Sequence, residues 1–187
     1  MAEGQKTGPL NVGEWCALFG MAAEGGGIMR DNGLKGHFIR QFKHVWWADS
    51  RIADALASVT GDIPEKALRL YTHVLAAEHI WLLRLTQQDA SQAAIWPEHA
   101  ALSDCRRLLE LNKRGYQEYL GELTEASLSD GVAYRNSKGV LFETSAADIL
   151  AHVCLHGSYH RGQIASYMRL EGHEPANTDY ITYVREE

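Results

Sequence analysis

Three histidines, His152, His156 and His160, recur at four-residue steps between Asp148 and Ile164. In a helix each such step advances about 40° around the axis, so successive members share one face a turn apart. His156 and His160 can therefore close on a single cation, as paired imidazoles do on metalloenzyme helices. Two ligands on one helix do not complete a site. The chain must fold so that a second element brings another donor to this face.

Long amphipathic stretches supply the elements. From about 35 to 59, Phe38, Phe42, Val45, Ile52, Leu56 and Val59 recur at helical spacing and form a core stripe. Trp46 and Trp47 widen that stripe or mark a contact surface. Gly61 to Pro64 is a stop followed by a start, with Pro64 suited to the first turn of a second helix running to about 86. There Leu70, His73, Val74, Ala77, Ile80, Trp81 and Leu85 lie on neighbouring faces, so His73 points near the core, while His79 faces elsewhere. Ser103 is placed to cap a third helix to about 123.

Between 131 and 142 the period changes to two. Val132, Tyr134, Val140 and Phe142 alternate around Asn136-Ser137-Lys138-Gly139, which reads as a hairpin. Ser145 to Asp148 resembles a capping box for the fourth helix, which Gly172 stops. The tail carries Tyr180, Ile181, Tyr183 and Val184 and is expected to pack back on the helices. The expected fold is an all-α four-helix bundle with a small β-hairpin excursion between helices three and four. Residues 1–34 form an N-terminal extension, partly disordered, with a short helix from Glu14 to Ala23; residues 35–187 form the metal-binding bundle. Facing helices of such a bundle commonly hold metals.

Composition removes other classes. A net charge of −6 argues against a phosphate-binding surface, so no nucleic-acid partner is expected. No apolar run approaches the roughly 20 residues that span a bilayer, so no membrane partner is expected either. The three cysteines are scattered, without a CxxC arrangement, and fit a reduced, cytoplasmic compartment. There is no Gly-rich phosphate loop, no G-x-S-x-G and no HExxH.

A buried lone histidine is more often a hydrogen-bonded core residue than a ligand, and His73 taken alone allows both readings. His152 extends the stripe, but Asp148 one turn earlier is placed to hold it, which makes it a supporting residue. His44 is a weaker candidate for a fourth position. His37, His79, His99 and His173 fit surface or structural roles, and Cys154 falls on roughly the opposite side of the helix from His156 and reads as inert. Arg161 puts a guanidinium beside the candidate site, either to orient an anionic substrate or to tie two helices together.

His156-Gly-Ser-Tyr-His160-Arg161-Gly162-Gln163-Ile164 resembles the C-terminal signature of the DinB/YfiT-like superfamily of four-helix metalloproteins. Three further stretches match in order: Trp47-Ala48-Asp49 is similar to the family's Trp-Ala-Asn, His73 to Trp81 to its His-x4-Glu-x2-Trp, and Thr178 to Tyr183 to its Thr-Asp-Phe-Ile-x-Tyr. The resemblance implies that His73, His156 and His160 are metal ligands, for zinc or nickel. Asp49 stands where the family has an amide, and His44 where a tyrosine is common. Characterised relatives include enzymes that use low-molecular-weight thiols, as transferases or in isomerisation.

Three neutral imidazoles leave the full charge on a divalent metal and leave coordination positions open, the pattern of a catalytic site. A bound water gives a hydrolase, and a bound thiol gives a transferase acting on a small molecule. The thiol is favoured because no carboxylate is clearly placed as a base for water; Glu78 lies one turn and a residue beyond His73, and Asp49 is the alternative. Asp49 and Arg161 are thus the candidate catalytic residues. A pocket above the metal would be lined by Trp46 or Trp47, Tyr159 and the tail aromatics. A metal-binding stress-response protein without turnover stays open. A homodimer is expected, because five tryptophans exceed what one bundle core accommodates.

Overall fold

The computed structural model describes residues 33–98 and 101–187. The expected helix from Glu14 to Ala23, and His99, lie outside the described residues. Four long helices carry the fold: α1 (Leu34–Ala57), α2 (Glu65–Leu85), α3 (Leu102–Glu122) and α4 (Ala146–Leu170). A hairpin of β1 (Gly131–Arg135) and β2 (Leu141–Ser145) precedes α4, and α5 (Tyr180–Glu186) follows it. The hairpin pairs Tyr134 with Phe142 in antiparallel register. Its turn is closed by the Asn136 carboxamide oxygen, which accepts from the Lys138 and Val140 amides, and Gly139 takes the left-handed conformation at φ 77°. The four long helices and the hairpin are the expected elements, the helix boundaries within two residues; β2 runs on to Ser145, three residues past the expected end at Phe142, and the tail adds a short helix.

The stripes meet in two apolar clusters at opposite ends of the bundle. Phe38, Phe42, Leu85, Leu120, Leu123, Ile149 and Val153 belong to the end that the hairpin covers. Ile52, Leu56, Ala67, Tyr71, Cys105, Leu109, Ile164 and Met168 belong to the other. This assignment sets the direction of every helix. α1 and α4 run from the hairpin end to the far end, and α2 and α3 both run back. The parallel pair α2 and α3 needs a connection that returns along the bundle, and the segment between them, described over residues 86–98, belongs to it. The long crossover is this segment, whereas the hairpin joins two ends already on the same side. Around the bundle the helices neighbour one another in the order α1, α3, α2, α4.

Between the two clusters lies a buried polar layer with one residue from each helix: Asp49, Glu78, Asn112 and Arg161, all at most 3% exposed. Outside, α5 seats on α1 as the tail aromatics suggested. Tyr183 is buried, Trp47 donates to Glu186, and Arg40 and Arg51 pair with Glu187 and Glu186. No helix among the described residues is long and apolar enough to cross a membrane.

One cap differs from expectation. Ala101, not Ser103, occupies the N-cap of α3, and the Asp104 carboxylate accepts from the Ala101 amide at 3.0 Å. An acidic side chain three residues in satisfies an orphan amide as a capping serine would, and complements the helix dipole. At α4 the cap is as expected: Ser145 Oγ accepts from the Asp148 amide at 3.1 Å. Ser145→Ala should cost about 1 kcal/mol, read as a fall of about 2–4 °C in the melting temperature.

Candidate metal centre

α2 and α4 are the most extensively packed pair of helices, and that seam carries the histidines. His73, His156 and His160 each bring a ring nitrogen to within 4.8 Å of the other two, and the cluster could hold a metal ion. The ring centroids of His73 lie 5.2 Å from His156 and 4.8 Å from His160, both edge-on. His73 is 5% exposed, while His156 and His160 are half-buried, so the cluster opens to solvent on the α4 side.

The hydrogen bonds decide which nitrogens are free. His73 Nδ1–H donates to the Ile95 carbonyl at 2.8 Å, which leaves Nε2 as a lone pair. His160 Nδ1–H donates to Gln163 Oε1 at 2.6 Å, and Gln163 Nε2 in turn donates to the Tyr159 hydroxyl. The free His160 Nε2 then sits 3.1 Å from His156 Nε2, an approach that needs a proton or a cation between the two. Burial lowers the pKa of His73, and burial with the neighbouring imidazoles lowers that of His156 to about 4. Neutral imidazoles, two of them held in the Nε2-free tautomer by outer hydrogen bonds, suit a divalent cation of borderline softness.

The crossover completes the site in a way the sequence did not signal. Besides the Ile95 carbonyl, it lays Trp96 flat on His73, with centroids 3.8 Å apart and planes 7° apart. The Arg69 guanidinium lies 5.4 Å from the Trp96 ring centre. Segment 86–101 has no hydrophobic period, so only the tertiary path of the crossover could identify it as a site element. Trp46 and Trp47 are not at the site: Trp46 is core beside Phe42, and Trp47 lies under α5. Tyr159 is there, edge-on to His160 and 66% exposed. A cavity of about 310 Å³ between α2 and α3 includes none of the three histidines.

The other candidates are placed as follows. His44 is turned to the tail, its Nε2–H donating to the Thr178 carbonyl at 2.9 Å, with Tyr180 and Tyr183 against its ring, so it does not take a fourth position. His152 stacks beside Trp81 and His156, but Asp148 does not hold it, because that carboxylate takes the Ser145 hydroxyl. His79 bonds Asn112 and is structural. Cys154 is a free thiol whose pKa burial pushes up to about 12, which makes it inert. Asp49 and Arg161 form an ion pair at 3.2 Å with 0% and 2% side-chain exposure. The guanidinium ties α4 to α1, and neither group reaches solvent.

The family model described as the DinB family matches residues 29–187. This chain belongs to the DinB family. Protein DinB of Bacillus subtilis (strain 168) is 23% identical over 156 residues, covering 76% of this chain and 91% of that protein. A DinB-like protein from Bacillus cereus shares the fold, with a TM-score of 0.56 at 15% identity over 75% of this chain and 94% of that one. Within this family fold, Gly157 is explained by packing. A Cβ there would meet Arg161 Nη1 at 2.8 Å, whereas one at Gly162 would meet nothing within 4 Å.

Alanine for glycine inside a helix normally gains about 0.5–1 kcal/mol. Gly162→Ala should show that gain. Gly157→Ala should instead lose about 1–3 kcal/mol by pushing Arg161 off Asp49, and parallel thermal melts of the two variants check the opposite signs.

Proposed function

We propose that this chain is a divalent-metal-dependent enzyme acting on a small molecule, with His73, His156 and His160 as the ligands of zinc or nickel. The supporting observation is the convergence of ring nitrogens from buried His73 and half-buried His156 and His160, with His73 and His160 each held from behind by a carbonyl acceptor. A structural site would be closed by a fourth protein ligand, whereas three imidazoles leave room for substrate. When bound, the metal supplies the charge that lowers the pKa of a thiol or water beside it. The protein's part is to orient. Ile95 and Gln163 hold the ligand tautomers, Trp96 shields His73 from one side, and Tyr159 borders the open side.

Thiol-dependent transfer is the reading that the surroundings favour over hydrolysis. Water is served best by a base within hydrogen-bond reach, and among the described residues no carboxylate joins the histidine cluster. Asp49 and Glu78 are buried in the layer beneath, with Arg161 between helices, so these groups position the site rather than touch substrate. A small thiol ionises at the metal without such a base.

Purified protein should carry about one divalent ion per chain. His73→Ala, His156→Ala and His160→Ala should each lose it while His152→Ala keeps it, as measured by elemental analysis. Stoichiometric metal in all three ligand variants overturns the site. Cobalt-substituted protein titrated with small thiols should develop a sulfur-to-metal charge-transfer band, and its absence in cobalt-loaded protein returns the reading to hydrolysis.

A homodimer is part of the same reading. Of the five tryptophans, Trp46, Trp47, Trp81 and Trp96 find partners within the chain and Trp15 lies outside the described residues, so the tryptophans add little to this reading. What supports association is the outer face of α4, where Leu155 is 70% and Tyr159 66% exposed. Light scattering at micromolar concentration should give twice the chain mass, falling to one on Leu155→Asp.

A further inference from the structure

The buried layer beneath the histidines holds more negative charge than its one cation balances. Arg161 Nη1 donates to Asp49 Oδ1 at 3.2 Å. The other carboxylate oxygen, Asp49 Oδ2, and Glu78 Oε1 are both buried with no donor. Asp49 from α1 and Glu78 from α2 each act on the other's protonation, which makes the two carboxyl groups neighbours across the bundle. Two lone-pair oxygens do not face each other in a core without a proton between them.

Among the described residues no other group supplies that proton or a second positive charge. From α1, His44 is near enough to act on Asp49 although its ring is turned to the tail, and burial lowers its pKa, so it is neutral at pH 7. From α2, Tyr71 donates its hydroxyl to the Asp49 backbone carbonyl, and from α3 Tyr116 donates to that of Glu78. Asn112 of α3 also faces Glu78, while its Nδ2 donates to the Leu75 carbonyl. From α4 come Arg161 and the half-buried Cys154 thiol. With both carboxyls ionised, the layer would carry a net −1 at 0–3% exposure; one proton makes it neutral.

We propose that Asp49 and Glu78 share one proton at neutral pH, with Glu78 as the donor and Asp49 as the carboxylate that pins Arg161, and that this neutral cluster seats the His156–His160 turn of α4. Glu78 is therefore a positioning residue, acting through Asp49 and Arg161. Burial raises the pKa of both carboxyls; the Asp49 charge lifts Glu78 further, well above its ordinary 4.5, while the Arg161 guanidinium works against the rise at Asp49. The sign follows. Above pH 4.5 the unfolded chain releases this proton and the folded one keeps it, so folding takes up a proton and stability falls as pH rises toward the raised value.

The test uses the full chain stripped of metal, so it stands apart from the metal reading. Urea unfolding is followed from about pH 5.5 to 8 for wild type, Glu78→Gln and Asp49→Asn. Either amide can donate the hydrogen bond itself, so folding of these variants needs no proton. The folding constant of wild type, relative to both, should fall about tenfold per pH unit. The double amide leaves Arg161 buried without a counter-charge and should lose on the order of 10²-fold or more in the folding constant. Infrared spectra at neutral pH should show the carbonyl stretch of a protonated carboxylic acid in wild type, absent from Glu78→Gln. Parallel pH curves for the three proteins, a band that survives Glu78→Gln, or a double variant as stable as the singles overturns the proposal. If the single variants do not fold, the wild-type spectrum decides alone, and the lack of an acid carbonyl overturns it.

Discussion

A guanidinium at 3% exposure in the middle of a helical bundle has to be neutralised where it sits, and much of this structure follows from how Arg161 is met. Its only ion-pair partner among the described residues is Asp49, on a different helix. Gly157, one turn earlier on α4, leaves the space that the guanidinium occupies. A buried ion pair adds little net stability, but losing one partner costs about 3–5 kcal/mol. The pair therefore acts as a register pin: a slip of α4 against α1 by one residue would strand both charges in apolar surroundings.

That register matters because the candidate metal centre is built across the neighbouring seam. His160 immediately precedes Arg161, so the pin that fixes the guanidinium inward also fixes the imidazole toward α2, about 100° round the helix. His73 reaches the same point from α2, held by a carbonyl of the crossover and covered by Trp96. The parallel run of α2 and α3 is what requires a crossover, and the crossover is what gives His73 its outer support. Fold topology and ligand orientation are thus one arrangement. The hairpin covers the apolar end of the bundle and takes no part in the histidine cluster.

The polar layer divides the core into two apolar clusters, and each of the four helices contributes one residue to it. Asn112 and the Tyr71 and Tyr116 hydroxyls satisfy backbone carbonyls of α1 and α2 at the same level. Buried polar groups of this kind specify a unique packing when every atom has a partner. Here the two atoms without one are both carboxylate oxygens, which is why a proton belongs to the structure of this layer.

The sequence by itself determined what depends on neighbours along the chain. Helical periods marked α1 to α4, Asn136 to Gly139 marked the hairpin turn, Ser145 marked a cap, and the four-residue spacing put His156 and His160 on one face. The motif resemblance named the family, and His73 was visible because it shares a stripe with core residues. Tertiary structure decided whatever depends on elements far apart in sequence. It turned His44 to the Thr178 carbonyl, 134 residues away, rather than to the cluster. It buried Asp49 against Arg161, 112 residues on, where the sequence allowed either a substrate contact or a tie. It brought Trp96 onto His73 through a segment without periodicity. Periodicity reports which face of an element is buried, but not against which partner, and the partners are what make a histidine a candidate ligand and a carboxylate a strut.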